Sequence, residues 1–88
     1  MQVSIRFLTF SAKTPKGYCL LSLPEGATGA ELLQIVDEAG KSGAFCAASD
    51  WPGLPEHVLL ASEGRMLRED EPLAEGMQIS IIGQMIGG

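Results

Sequence analysis

Two alternating apolar segments stand at opposite ends of this sequence, with one amphipathic helix signature between them. In residues 1–10, Val3, Ile5 and Phe7 alternate with Gln2, Ser4 and Arg6. In residues 77–82, Met77, Ile79 and Ile81 alternate with Gln78 and Ser80. A period of two sends successive side chains to opposite faces, so both segments read as half-buried strands. Between them, Thr28-Gly29-Ala30-Glu31 has the form of a capping box, with Thr at the N-cap and Glu at the third helical position. Leu32, Leu33, Ile35, Val36 and Ala39 then recur at helical spacing, and Gly40 fits the position of a C-terminal stop. A lone amphipathic helix and a half-apolar sheet each have one face to bury, so each has to cover the other. End strands that pair in the sheet centre run parallel, with the helix as their crossover.

The rest of the chain fills in this plan. Pro15-Lys16-Gly17 marks a turn, and residues 18–23 read as the hairpin partner of the first strand, with Cys19, Leu21 and Leu23 sharing a face. Residues 41–56 carry Gly43, Pro52, Gly53 and Pro55 without a clean period. They predict a long loop with a short turn near 47–50, pinned to the core by Phe45 and Trp51. A third strand is expected over 57–61, a turn at Glu63-Gly64, a short return strand over 65–67, and a polar loop holding a buried Leu73. The predicted class is α+β: a β-grasp arrangement, with a mixed sheet of four to five strands and one main helix on one face. Residues 1–82 form the expected domain and 83–88 a flexible tail.

Charge and composition remove several functions. The chain has 88 residues, a net charge of −5, and six Lys and Arg that do not cluster. Nucleic-acid binding needs a basic footprint, so no nucleic-acid partner is expected. An acidic surface suits a basic protein partner better. Cys19 and Cys46 are too few for a disulfide scaffold, and with the single His57 they do not suggest a zinc site. The start of the chain does not read as a signal peptide, and no apolar run approaches a membrane span. The expectation is a soluble, cytoplasmic protein with no membrane partner, no metal and no bound cofactor.

The sequence closes on Gly87-Gly88, soon after an apolar strand. Without a Cβ, a diglycine can enter a slot that rejects any other residue, and it carries a terminal carboxylate to whatever lies inside. Residues 68–88, with Pro72-Leu73, Gly76, Ile79 to Ile82 and Gly87-Gly88, resemble the C-terminal segment of the ubiquitin-like sulfur carriers. That family includes the small subunit of molybdopterin synthase and the thiamine-pathway sulfur carrier. The first strand and Ala30-Glu31-Leu32-Leu33 are also similar. Three features depart from the family pattern. Met77 stands where an acidic residue is usual, Ser62-Glu63-Gly64-Arg65 reads as looser than the usual Asn-Gly-type turn, and the 41–56 loop is idiosyncratic.

The resemblance implies that the protein is not an enzyme but a protein co-substrate in cofactor biosynthesis. An adenylating, E1-like partner would use ATP to activate the Gly88 carboxylate. A sulfur donor would convert it to a thiocarboxylate, and a biosynthetic enzyme would accept the sulfur. Gly87, Ile86, Met85 and Gln84 would line the partner's channel. Ile82 and Met66 would dock the body as an apolar patch on the outer sheet face. Six extended residues reach about 20 Å. Two alternatives remain open: a ubiquitin-like modifier joined through Gly88 to target lysines, and a non-catalytic β-grasp interaction domain.

Other residues carry blander readings. Cys19, in an apolar strand, reads as a small buried hydrophobe. Cys46 has no neighbouring His or Lys in sequence to activate it. His57 reads as a surface or satisfied histidine. Ser11, Ser49 and Ser62 lack a nucleophile-elbow context. Glu69-Asp70-Glu71 reads as a solvated acidic loop able to meet a basic partner. The glycines form neither a dinucleotide fingerprint nor a P-loop.

Overall fold

Val3, Ile5 and Phe7 are buried on one face of the first strand, β1 (Gln2–Leu8), as their alternation predicts. The structure is a computed structural model, and it describes residues 1–8, 13–55 and 57–84. After β1 come β2 (Cys19–Ser22), α1 (Gly29–Lys41), a 3-10 turn (Ala48–Asp50), β3 (His57–Ser62), β4 (Arg65–Leu67) and β5 (Gln78–Gln84). The sheet order is β2-β1-β5-β3-β4. β1 and β5 pair in parallel at its centre, with Ile5 opposite Ile79 and Phe7 opposite Ile81. The other three strand pairs are antiparallel. This is the expected β-grasp arrangement, with five strands.

One face of the sheet makes the core. Val3, Ile5, Phe7, Leu60, Leu67, Ile79 and Ile81 point toward α1, which buries Leu32 and Val36 against them. Leu33, on the flank of the helix, is only half-buried. The capping box forms as its sequence predicts, since Thr28 Oγ1 accepts from the Glu31 amide and Glu31 accepts from the Thr28 amide. Two more amides of the first turn are satisfied from a distant segment. Gly29 N–H donates to the Glu71 carbonyl and Ala30 N–H to that of Glu69. The acidic loop is thereby fastened to the helix N-terminus, and Leu73 beneath it is buried.

The helix end corrects one expectation. Gly40 is not the stop; it lies inside α1. A Cβ on Gly40 would lie 2.2 Å from two indole carbons of Trp51. Glycine is needed there for close approach, not for a left-handed turn. The stop belongs to Gly43, at φ +88°. Gly43 N–H donates to the Gly40 carbonyl and Ala44 N–H to that of Ala39, the paired bonds of a Schellman motif.

Trp51 and Phe45 do anchor the 41–56 segment. Phe7, Phe45 and Trp51 meet with ring centroids 5.1–5.7 Å apart. The Trp51 indole N–H donates to Asp37 Oδ1 at 3.0 Å, and Lys41 pairs with the same carboxylate. Both hold the Asp37 carboxyl below the usual carboxylate range, the indole bond being the larger cause. The pairing therefore adds stability at neutral pH and loses it as pH falls through that lowered value.

The β3–β4 hairpin gives a second correction. Ser62 opposes Arg65, so the loop is the two residues Glu63 and Gly64, at φ 51° and 82°. Two positive φ values are what a type I′ turn requires. The turn is tight, and Glu63 pays a left-handed backbone penalty that Asn tolerates better. Glu63→Asn is expected to raise stability by about 0.5–1 kcal/mol, or about 2–8 °C in Tm. A melting curve unchanged or lowered would contradict this.

The last strand also differs from its expected bounds. It runs past Ile82, because Gly83 and Gln84 pair with Val58 and His57. The segment read as a free tail from residue 83 therefore begins as paired strand. Among the described residues, no helix is long and apolar enough to cross a membrane.

Candidate functional site

The inner sheet face is covered by α1, so the opposite face is where β5 can present side chains outward. Strand order decides what lies there. Leu8 on β1, Ile82 on β5 and Leu59 on β3 are successive partners and form one cross-strand row. Arg6, Ser80, Ala61 and Met66 form the next. Ile82 is half-buried, Leu59 is 36% exposed and Met66 is 51% exposed.

The expected neighbourhood of Ile82 and Met66 needs amending. β4 does not adjoin β5, because β3 lies between them. Met66 reaches Ile82 only across Ala61 and Leu59. The direct flanks of Ile82 are Leu8 and Leu59, two residues that sequence reasoning missed. Leu59 was within reach of the pattern: in β3 it sits out of phase with buried Leu60 and Ser62. Leu8 was not, since its place beside Ile82 depends on the parallel register of β1 with β5.

Among the residues expected to contact a partner, Gln84 ends β5 and pairs with His57. Met85, Ile86, Gly87 and Gly88 lie outside the described residues. β5 thus delivers the chain toward them from the end of the sheet where Leu8, Ile82 and Leu59 make their row.

Beside that row is a shallow depression of about 360 Å³, lined among others by Arg6, Leu8, Tyr18, Glu63, Ser80 and Ile82. Arg6 is fixed in it. Its Nε donates to Ser80 Oγ at 2.8 Å, and its guanidinium lies over the Tyr18 ring, 5.2 Å from the centroid. Such a cation–π contact is worth about 0.5–1 kcal/mol at an exposed site. Ser62 below is buried and donates to the Gln78 carbonyl at 2.7 Å, so its hydroxyl serves the β3–β5 seam.

The acidic loop is less acidic in effect than in sequence. Arg65 binds both oxygens of Glu71, and Arg68 pairs with Asp70. The Arg65 guanidinium holds the Glu71 carboxyl below its ordinary value, and Glu71 in turn raises that of Arg65. Glu69 is exposed. Cys19 and Cys46 are half-buried free thiols, and His57 is exposed. Ser49 is exposed, and Ser11 lies outside the described residues. Among the described residues, no three His, Cys, Asp or Glu side chains gather as a metal site would need.

No protein-family model matches the chain, and no curated protein does. Solved structures do. The fold is similar to a Caldiarchaeum subterraneum ubiquitin, with a TM-score of 0.62 at 21% identity, over 100% of this chain and 98% of that one. It is similar to SAMP1 from Haloferax volcanii, with a TM-score of 0.63 at 17% identity, over the full length of both. A further solved structure, of a ubiquitin-like protein from Caldiarchaeum subterraneum, matches with a TM-score of 0.54 at 20% identity, over 99% and 100% of the two chains. The fold is the ubiquitin-like β-grasp.

Proposed function

We propose that this chain is a sulfur carrier whose Gly88 carboxylate is adenylated by an E1-like enzyme and converted to a thiocarboxylate. The observation that carries the reading is the join of a ubiquitin-like body to Gly87-Gly88 through its central strand β5. In this chemistry a carboxylate oxygen attacks the α-phosphorus of ATP and pyrophosphate leaves. Hydrosulfide from the sulfur donor then attacks the acyl carbon and AMP leaves, which gives the thiocarboxylate. The partner enzyme supplies the catalytic groups, and this chain supplies a carboxylate on a stem with no side chains.

The longer β5 shortens the reach. Four residues follow Gln84 in sequence, and a fully extended chain covers at most about 14 Å with them. A partner that captures the diglycine has to sit close against the sheet end, where Leu8, Ile82 and Leu59 offer it an apolar contact. Ile82→Asp is accordingly expected to weaken binding to the adenylating partner by more than about 2 kcal/mol, as loss of a central contact does. Calorimetric titration of the folded variant checks it, and unchanged affinity would remove this row from the mechanism.

The direct test is intact-mass analysis of the protein incubated with its activating enzyme, ATP and a sulfur donor. One oxygen exchanged for sulfur, mapped to the C-terminal peptide, is the expected product. An unchanged terminus with a proven activating enzyme would refute the carrier reading. The fold likeness to a protein named ubiquitin favours a second reading, conjugation of Gly88 to a lysine. The same experiment would then give a branched peptide instead of a thiocarboxylate.

A further inference from the structure

The carrier reading above leaves one charged group on the outer face without a role. The chain has three arginines, and two of them are neutralised locally: Arg65 by Glu71 and Arg68 by Asp70. Arg6 makes no ion pair among the described residues. Instead it is held still by groups that leave its charge uncompensated, the Ser80 hydroxyl and the Tyr18 ring. An arginine that only decorated a surface would not need both restraints. One Nε–H is used, and the other guanidinium N–H groups have donor capacity to spare.

Its surroundings specify more than an anion. Arg6 and Leu8 are two residues apart on β1, so they project from the same face about 6.7 Å from each other. Leu8 opens onto Ile82 and Leu59. A fixed cation therefore adjoins an apolar row at the repeat distance of an extended chain. Phosphate or nucleic acid would gain nothing from that row. A neighbouring Glu63 also lines the depression, and it disfavours a diffuse polyanion more than a single well-placed carboxylate.

We infer that Arg6 is the specificity-determining contact of the outer face, and that it receives a carboxylate of the partner protein beside an apolar side chain two residues along an extended segment. The inference rests on the reading that the partner docks on this face, and it adds what the partner must present there. An arginine fork binds a carboxylate through two parallel N–H bonds, and its Ser80 and Tyr18 restraints fix the plane in advance. Because the protein carries a net charge of −5, long-range electrostatics disfavour an acidic segment over most of the surface, so a fixed local cation helps to set its register.

The probe is a capped octapeptide with Glu and Leu two positions apart, titrated into the labelled full-length protein and followed by NMR. The Arg6 Nε–H signal and the amides of Leu8, Ser80 and Ile82 are expected to shift together. Replacing the peptide's Glu by Gln is expected to weaken binding at least fivefold, and 1 M salt to weaken the Glu peptide but not the Gln peptide. Arg6→Gln in the protein, checked by its melting curve, is expected to erase the difference between the two peptides. Equal binding of the Glu and Gln peptides by the unmodified protein overturns the inference whether or not the variant folds. So does shifting of the same signals by inorganic phosphate alone at equal strength, or absence of binding by the Glu peptide. Sulfur loading of Gly88 is scored separately by mass, so a failed titration with intact loading removes the Arg6 contact and leaves the carrier reading standing.

Discussion

Ile79→Ala and Leu32→Ala are each expected to lower stability by about 2–5 kcal/mol. Both side chains have no solvent exposure. Ile79 lies on β5 opposite Ile5 of β1, and Leu32 is on the helix face that covers the sheet. Removing either leaves a cavity that rigid neighbours on two sides cannot close. For a domain of this size, each kcal/mol corresponds to about 4–8 °C in Tm, so either variant is expected to melt at least 8 °C lower. Leu33→Ala is the control. Leu33 is half-buried, and its loss is expected to cost less than half as much. Thermal and urea unfolding of the three variants checks the order. A Leu33 effect equal to that of Leu32 would mean that the helix packs on a different face.

Deleting Gly87 and Gly88 is expected to do the reverse: to end sulfur loading while leaving the melting temperature within about 2 °C. Every member of the buried core lies between Val3 and Ile81, and the caps and sheet pairings described end at Gln84. On the proposed chemistry the reacting carboxylate has to follow two residues without a Cβ, so the new end at Ile86 presents a branched side chain to a slot shaped for glycine. Mass analysis and a melt on the same sample read both effects. A large fall in Tm would show that the diglycine is structural. Full loading at Ile86 would show that the partner does not read glycine.

How much of this was legible in the sequence depended on whether the signal was local. The alternation of Val3, Ile5 and Phe7, and of Ile79 and Ile81, fixes which side of each strand faces the core, and all five are buried; Ser80, on the other side, is buried too. The Thr28–Glu31 box is equally local and forms as written. Gly40 was misread because a glycine that ends a helix and a glycine that admits an indole look the same in one dimension. Only the returning Trp51 distinguishes them. Glu63-Gly64 looked loose because glutamate rarely accepts a left-handed backbone, yet the pairing of Ser62 with Arg65 leaves it no alternative. Gly83 and Gln84 became strand because β3 begins early enough to pair with them. The outer row of Leu8, Ile82 and Leu59, and the holding of Arg6, come from three strands brought side by side, so no single stretch of sequence contains them.

The central place of β5 has a consequence for how the molecule is made. β5 is the last strand in the chain, yet it lies between β1 and β3. During synthesis the sheet therefore has no middle until residue 84 has emerged. β1 waits for a partner more than seventy residues away, which makes folding a late, long-range event and not a gradual one. An incomplete chain cannot close the sheet, so it lacks the outer face on which the proposed partner would dock. On the proposed chemistry, folding would thus act as a proofreading step. On the carrier reading, a chain that presents this docking surface would already have been translated almost to its diglycine, and an activating enzyme that required the surface would spend its ATP only on such chains.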